Sequence, residues 1–296
     1  MSGTDSYVRK FTRPRFVGLG RVGDEHAAPS LPTISVADIA RSGKSPMILD
    51  SLSSWIWPVT LAPFIGSFLG VLVTRAESPC SIVFDRSHCE ACGGRLIARD
   101  LLPIVSWLAL RGRCRLCDRP IGILCPALEL VAMGVAVASA MAFSGWSVWV
   151  SCLLGWTLLA LAATDFKYYL LPDFLTLPLI LAGLLVSWEL DHSSLLAHAV
   201  GAASGLAFVI SVRHVYRTLR GREGMGLGDA KLFAAAGGWV SWDGLPSVML
   251  LAALSGLAFG LLKGARGNSL SLTDRVPFGA FLSFGIWAVW LYVPKG

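Results

Sequence analysis

Two aspartates set in apolar surroundings, Asp165 in DFKYYLLPD and Asp229 in GMGLGDAK, are the residues of this sequence best placed to do chemistry. An ionisable group within or beside a membrane span is expensive and by default marks function. Two carboxylates brought together at low dielectric cannot both ionise, so one stays protonated and polarises a carbonyl while the other deprotonates water. Their titration then belongs to the pair. Gly224, Gly226 and Gly228 permit backbone geometries closed to other residues and let an extended chain approach Asp229 without a side chain in the way. The bland readings stand beside this one. Asp165 also fits a helix-end carboxylate, Asp229 a helix N-cap, Asp173 a cap after Pro172, and Lys231 an interface anchor or charge partner for the two aspartates.

A second constellation is Cys89, Cys92, Cys114 and Cys117, two C-x2-C pairs separated by 21 residues. Each pair can turn both thiolates onto one ion, and four sulfurs complete a tetrahedral zinc shell. A closed shell has no position for water, so such a zinc is structural. Nearby arginines favour the thiolate form. The alternative is four free or redox-active thiols. His88 adjoins a ligand but is surplus to the set, and Cys80, Cys125 and Cys152 need no function beyond packing.

The elements that must carry these groups are apolar helices. The chain of 296 residues is 54% hydrophobic and 15% charged, with a mean hydropathy of +0.64, too apolar for a soluble domain. Apolar stretches near 55–74, 123–143, 146–164, 174–190, 195–212, 232–242, 245–264 and 276–294 are long enough to cross a bilayer, where only helices satisfy their own backbone. The sixth is short and is expected to begin in the preceding loop. The expected fold is therefore an all-α polytopic membrane protein of about eight helices. Its divisions are a disordered tail over 1–54, a first transmembrane helix over 55–74, a four-cysteine zinc domain over 75–122 and a membrane-embedded domain over 123–296.

The net charge of +6 does not point to nucleic acid, because the basic residues sit in alternate loops. Segment 75–122 holds eight, 213–231 five and 263–275 three, whereas the loops near 144, 192 and 243 hold none. The positive-inside rule places the rich loops, and the short one around Lys167, in the cytoplasm, and both termini outside. The tail, with seven Lys/Arg, disagrees. A cytoplasmic tail with a re-entrant first segment, suggested by Pro58 and Pro63, is the competing topology. Asp165 and Asp229 lie 64 positions apart, yet both fall at cytoplasmic helix ends and can meet.

The order and combination of GSFLGVLVTR (66–75), the two cysteine pairs, PIVSWLALRGRCRLC (103–117), CPALE (125–129), D-x6-PD (165–173) and GMGLGDAKLFAAAGGW (224–239) resemble the type IV prepilin peptidase family. The resemblance runs from about 63 to 290. It implies a bacterial inner-membrane enzyme in which Asp165 and Asp229 are the catalytic pair and the cysteines hold a cytoplasmic zinc domain. The implied substrates are prepilins or pseudopilins, cut after a glycine and then N-methylated with S-adenosylmethionine. Two positions depart from the family pattern: Gly70 stands where an asparagine is common, and Cys125 where an aromatic residue is expected. Glu129, early in the second span, is the polar candidate for methyl transfer, with a helix-packing hydrogen bond as its equal alternative. A transporter with Asp165, Asp229, Glu129 and Lys231 along a polar pathway is the competing function. A zinc-dependent scaffold without catalysis is the third.

Overall fold

A computed structural model describes residues 47–76, 92–94, 103–190, 192–221, 226–266 and 276–292. The tail over 1–46, Cys80, Cys89 and Gly224 lie outside the described residues. The elements in chain order are α1 (Met47–Thr74), α2 (Val105–Ala109), α3 (Leu124–Ala142), α4 (Ser147–Tyr168), α5 (Asp173–Leu190), α6 (Leu195–Arg220), α7 (Leu227–Ala265) and α8 (Phe278–Tyr292). Six of them are long and apolar enough to span a membrane, and α8 is a shorter apolar helix.

At 39 residues, α7 would be about 58 Å long if straight, far more than one crossing needs. It is broken at Ser241 (φ 63, ψ 175), which divides it into arms over 227–240 and 242–265. The described residues thus hold eight apolar helical segments, matching the expected number. The sixth segment begins inside the preceding loop, at Leu227, as its short apolar run implied. Helix α1 starts at Met47, within the stretch read as tail, and stays helical through Pro58 and Pro63. The re-entrant first segment is therefore not formed. A proline forfeits one backbone bond, but a bend into an apolar surrounding would forfeit several.

Helix α4 is the axis of the bundle, with 67% of its apolar window buried against 39% or less for every other span. One side carries small residues and Trp156, which pack with Ala132 and Ala136 of α3 and Ala62 and Leu69 of α1. The other side carries Leu154, Leu158 and Leu161, which pack with α7 and α8 through Leu232, Ala236, Leu282 and Ile286. Helices α5 and α6 pack on α7. Indole and hydroxyl donors join the layers: Trp156 Nε1 donates to the Ala132 carbonyl (3.1 Å), Trp239 Nε1 to the Leu179 carbonyl (2.9 Å), and Ser139 to Ser151 (3.1 Å). Between helices in lipid, packing and such bonds supply the attraction that hydrophobic burial cannot.

The closest approach is between α6 and α7. A Cβ on Gly237 would lie 2.1 Å from the Gly201 carbonyl carbon and 2.5 Å from Ala202 N, backbone that cannot swing aside. Gly237→Ala is accordingly expected to cost about 1–3 kcal/mol, a fall of roughly 2–10 °C in unfolding midpoint for a chain of this size. A thermal melt in detergent checks this, with Gly134→Ala, whose Cβ would meet nothing within 4 Å, as the neutral control.

Candidate active site and metal centre

Chain alternation places the C-termini of α1, α4, α6 and α7 and the N-termini of α3, α5, α7 and α8 at one end of the bundle. Asp165 and Asp229 are both there. The apolar run of α4 continues past its expected end at 164, so Asp165 lies inside the last turns of the helix, where it is buried. Its Oδ2 accepts the N–H of Ala280 at 2.9 Å, and the carboxylate also accepts that of Gly279. Those are among the first N–H groups of α8, which have no partner within their own helix. Asp165 thereby satisfies the start of α8 while α8 satisfies a buried carboxylate. Tyr169, left-handed at φ 54, closes α4 by donating its N–H to the Asp165 carbonyl.

Asp229 stands at the third position of α7, behind the Gly226 N-cap. Its Oδ2 accepts the Gly226 N–H at 3.2 Å, the reach-back half of a capping arrangement. It is not the N-cap itself. The two carboxylates are close enough for the charge of Asp165 to act on Asp229. Leu171, in the turn after α4, lies between their two supports. A Cβ on Gly228 would meet Leu171 Cβ at 2.8 Å, and one on Gly279 would meet Leu171 Cδ1 at 2.8 Å and Asp165 Oδ2 at 3.1 Å. Glycine at both positions is what lets α7 and α8 close on this turn.

Lys231 is not paired to either aspartate. Its Nζ donates to Asp173 Oδ1 at 2.6 Å, so the pair ties the start of α7 to the start of α5. The Asp173 side chain thus goes to Lys231, while the Pro172 carbonyl accepts the first bonds of α5, from Leu175 and Thr176. Sequence reasoning missed three participants: the α8 N–H groups, Leu171 and the Asp173–Lys231 tie. Each is a backbone group or a pairing across elements, which a residue's type alone does not announce.

The cysteine loop comes together at the same end of the bundle. Among the described residues, the sulfurs of Cys92, Cys114 and Cys117 lie within 4.8 Å of one another. Tetrahedral zinc with Zn–S near 2.3 Å sets its sulfurs about 3.8 Å apart, so a small inward movement suffices and the cluster can hold a metal. The backbone is shaped for it. Gly93 (φ 68) turns after Cys92, and Asp118 (φ 56) turns after Cys117 while donating its N–H to the Cys114 carbonyl. Cys114 N donates to the Arg119 carbonyl, and Arg113 pairs with Asp118 at 3.0 Å.

Glu129, buried near the start of α3, accepts the N–H of Ile104 at 2.6 Å and a bond from Ser67. Ile104 is held at φ 58, a strained value for a β-branched residue. The carboxylate thus anchors the loop that carries the cysteines. The bond from Ser67 of α1 is the helix-packing hydrogen bond expected of Glu129, and the bond from Ile104 extends the same carboxylate to the loop.

Comparison with known proteins assigns both regions to one family. The profile of the type IV leader peptidase family matches residues 152–261, which contain both aspartates. That of the bacterial peptidase A24 N-terminal domain matches residues 60–143, which contain the four cysteines. A prepilin leader peptidase/N-methyltransferase of Burkholderia pseudomallei (strain 1026b) is 39% identical over 254 residues, 77% of this chain and 82% of its own length. The protein of that name from Aeromonas hydrophila is 39% identical over 218 residues, 73% of this chain and 74% of its own. A type 4 prepilin-like proteins leader peptide-processing enzyme of Escherichia coli O78:H11 (strain H10407 / ETEC) is 33% identical over 234 residues, covering 78% and 84%. No solved structure matches the chain. The transporter reading gains no support.

The metal cluster generates a test. Metal analysis of folded protein is expected to give about one divalent ion per chain, and Cys114→Ser, at the buried sulfur, to give less than about half of that.

Proposed function

The chain belongs to the type IV leader peptidase family, and on that premise we propose that it is a multi-pass bacterial inner-membrane aspartic endopeptidase that cuts prepilins or pseudopilins after a glycine, with Asp165 and Asp229 as its catalytic pair. The observation that supports this reading is that two carboxylates from distant helices, each held by backbone N–H groups, stand at one end of an apolar bundle on either side of Leu171.

The two carboxyls work with one proton between them. The ionised member takes a proton from a water molecule, whose oxygen attacks the scissile carbonyl carbon. The protonated member hydrogen-bonds the carbonyl oxygen as charge develops there. Collapse of the tetrahedral species breaks the C–N bond, and the proton taken from water leaves with the new amine. The bonds from Gly226 and Ala280 fix one oxygen of each carboxylate, leaving the other oxygen of each for water and substrate. Gly228 leaves room for Leu171 beside Asp229, and Lys231 acts through Asp173 as a positioning residue.

Basic loops flank this end of the bundle, which supports its assignment to the cytoplasm. A substrate with a basic leader in the cytoplasm and an apolar helix in the bilayer presents its scissile bond at that depth. Selection by position follows.

Zinc is the metal that suits a four-thiolate set. Cys92, Cys114 and Cys117, with Cys89 as the fourth ligand, would hold it as a structural staple. The names of the relatives support a second activity, methylation of the new amino terminus from S-adenosylmethionine. Glu129 is engaged by Ile104 and Ser67, so no step of methyl transfer is assigned to it.

Cleavage of a prepilin-like peptide in detergent tests the assignment. Asp165→Asn and Asp229→Asn are each expected to lower kcat by about 10²–10⁴-fold with the fold intact by circular dichroism. Retained cleavage in either variant would remove the mechanism. Chelation is expected to lower thermal stability or methylation while cleavage by still-folded protein persists; prompt metal-dependent loss of cleavage in an intact fold contradicts a structural ion.

A further inference from the structure

The end of the bundle opposite the aspartates holds a cavity of about 1010 Å³, at the upper end of the range of small-molecule sites. It lies where α4 and α6 begin, α5 and α8 end, and α7 turns at Ser241. An aromatic wall bounds it: Trp290 stacks on Phe143 (centroids 5.6 Å) and meets Trp239 edge-on (5.2 Å).

Three observations set this cavity apart from a packing fault. Trp290 is 8% exposed, and its indole N–H finds no hydrogen-bond acceptor. The hydroxyl of Ser241 is likewise buried and unpartnered. Ser241 also sits at φ 63, ψ 175, a region that is essentially glycine's alone and whose occupation by other residues clusters at functional sites. Ser241 and Trp290 both line the cavity, so both unpartnered donors belong to residues of its wall.

The chemistry of the lining selects the occupant. Trp290 donates only, so it needs an acceptor, and Ser241 can donate alongside it. His198 has its Nδ1 directed to the Gly238 carbonyl at 3.0 Å. No lysine or arginine is among the described residues that line the cavity, and its charged member is Asp243. A net-anionic headgroup has no counter-charge here, whereas the ammonium of a zwitterionic one finds Asp243. We propose that this cavity binds one amine-headed, zwitterionic diacyl phospholipid. An ester carbonyl accepts from Trp290 and Ser241, the ammonium lies toward Asp243, and an acyl chain fills the apolar interior. The assignment is independent of peptidase activity.

Native mass spectrometry of the full-length protein, offered dioleoyl lipids with ethanolamine or glycerol headgroups and oleic acid, tests this. The wild type is expected to keep one ethanolamine lipid under activation that strips the others. Trp290→Phe should lower that occupancy about fivefold, the scale of one buried hydrogen bond. Ser241→Gly should lower it while raising the thermal midpoint by a few degrees, because glycine accepts the backbone. Asp243→Asn should equalise ethanolamine and glycerol headgroups. Equal retention of all lipids by the wild type, retention of oleic acid instead, a cavity holding water only, or unchanged occupancy in these variants each overturns the proposal. If Trp290→Phe does not fold, the two readings of Ser241→Gly decide.

Discussion

A buried carboxylate in an apolar bundle must find donors, and Asp165 finds them in the backbone of another helix. The first turn of α8 offers N–H groups that its own helix cannot use, and Ala280 directs one of them at Asp165. The bond has two ends, and both matter. Without it, α8 would begin with unsatisfied donors inside the fold, and α4 would carry an uncompensated acidic group at its most buried surface. Because α4 packs on α1 and α3 on one side and on α8 on the other, fixing α8 to Asp165 sets the geometry of this end of the molecule.

The second aspartate is held by local means, through the reach-back bond to Gly226 at the start of its own helix. One carboxylate is therefore positioned by tertiary packing and the other by helix capping. The two frames are brought together by Leu171, seated between Gly228 and Gly279, and by the Asp173–Lys231 bond between α5 and α7. That ion pair is half in water, and such pairs contribute little to stability. Its use is geometric: it fixes the helix that carries Asp229 against the one that follows Asp165.

Hydropathy alone sufficed for the number and approximate limits of the spans, because a run of about 20 apolar residues has few alternatives to a crossing helix. The aspartates and the cysteine pairs were legible from their spacing and from the rarity of charge in such a chain. What stayed hidden has a common physical character. The end of α4 was placed at 164, yet the helix runs to Tyr168, since a helix end is set by its cap, here Tyr169 at positive φ, rather than by hydropathy. The break at Ser241 is invisible because serine does not advertise a left-handed backbone. Lys231 and Asp173 were each legible as charged groups near the site, but their mutual bond spans 58 positions.

Gly70 and Cys125, the two departures from the family pattern, also become intelligible only in space. A Cβ on Gly70 would lie 3.0 Å from the Cys125 sulfur, so the two positions share one contact between α1 and α3. A larger residue at either place requires the other to give way, and here both are small. A few residues away, a Cβ on Gly66 would strike the Glu129 backbone at 2.5 Å, which holds the same two helices together where Glu129 grips Ile104. The loop that carries the cysteines is thus attached to the membrane part through a carboxylate, and the close seating of α1 on α3 decides where that carboxylate points. A substitution that parted these helices would release the loop without touching a single cysteine. The cysteine loop and the α1–α3 contact are accordingly one structural unit, although they are separate in the sequence.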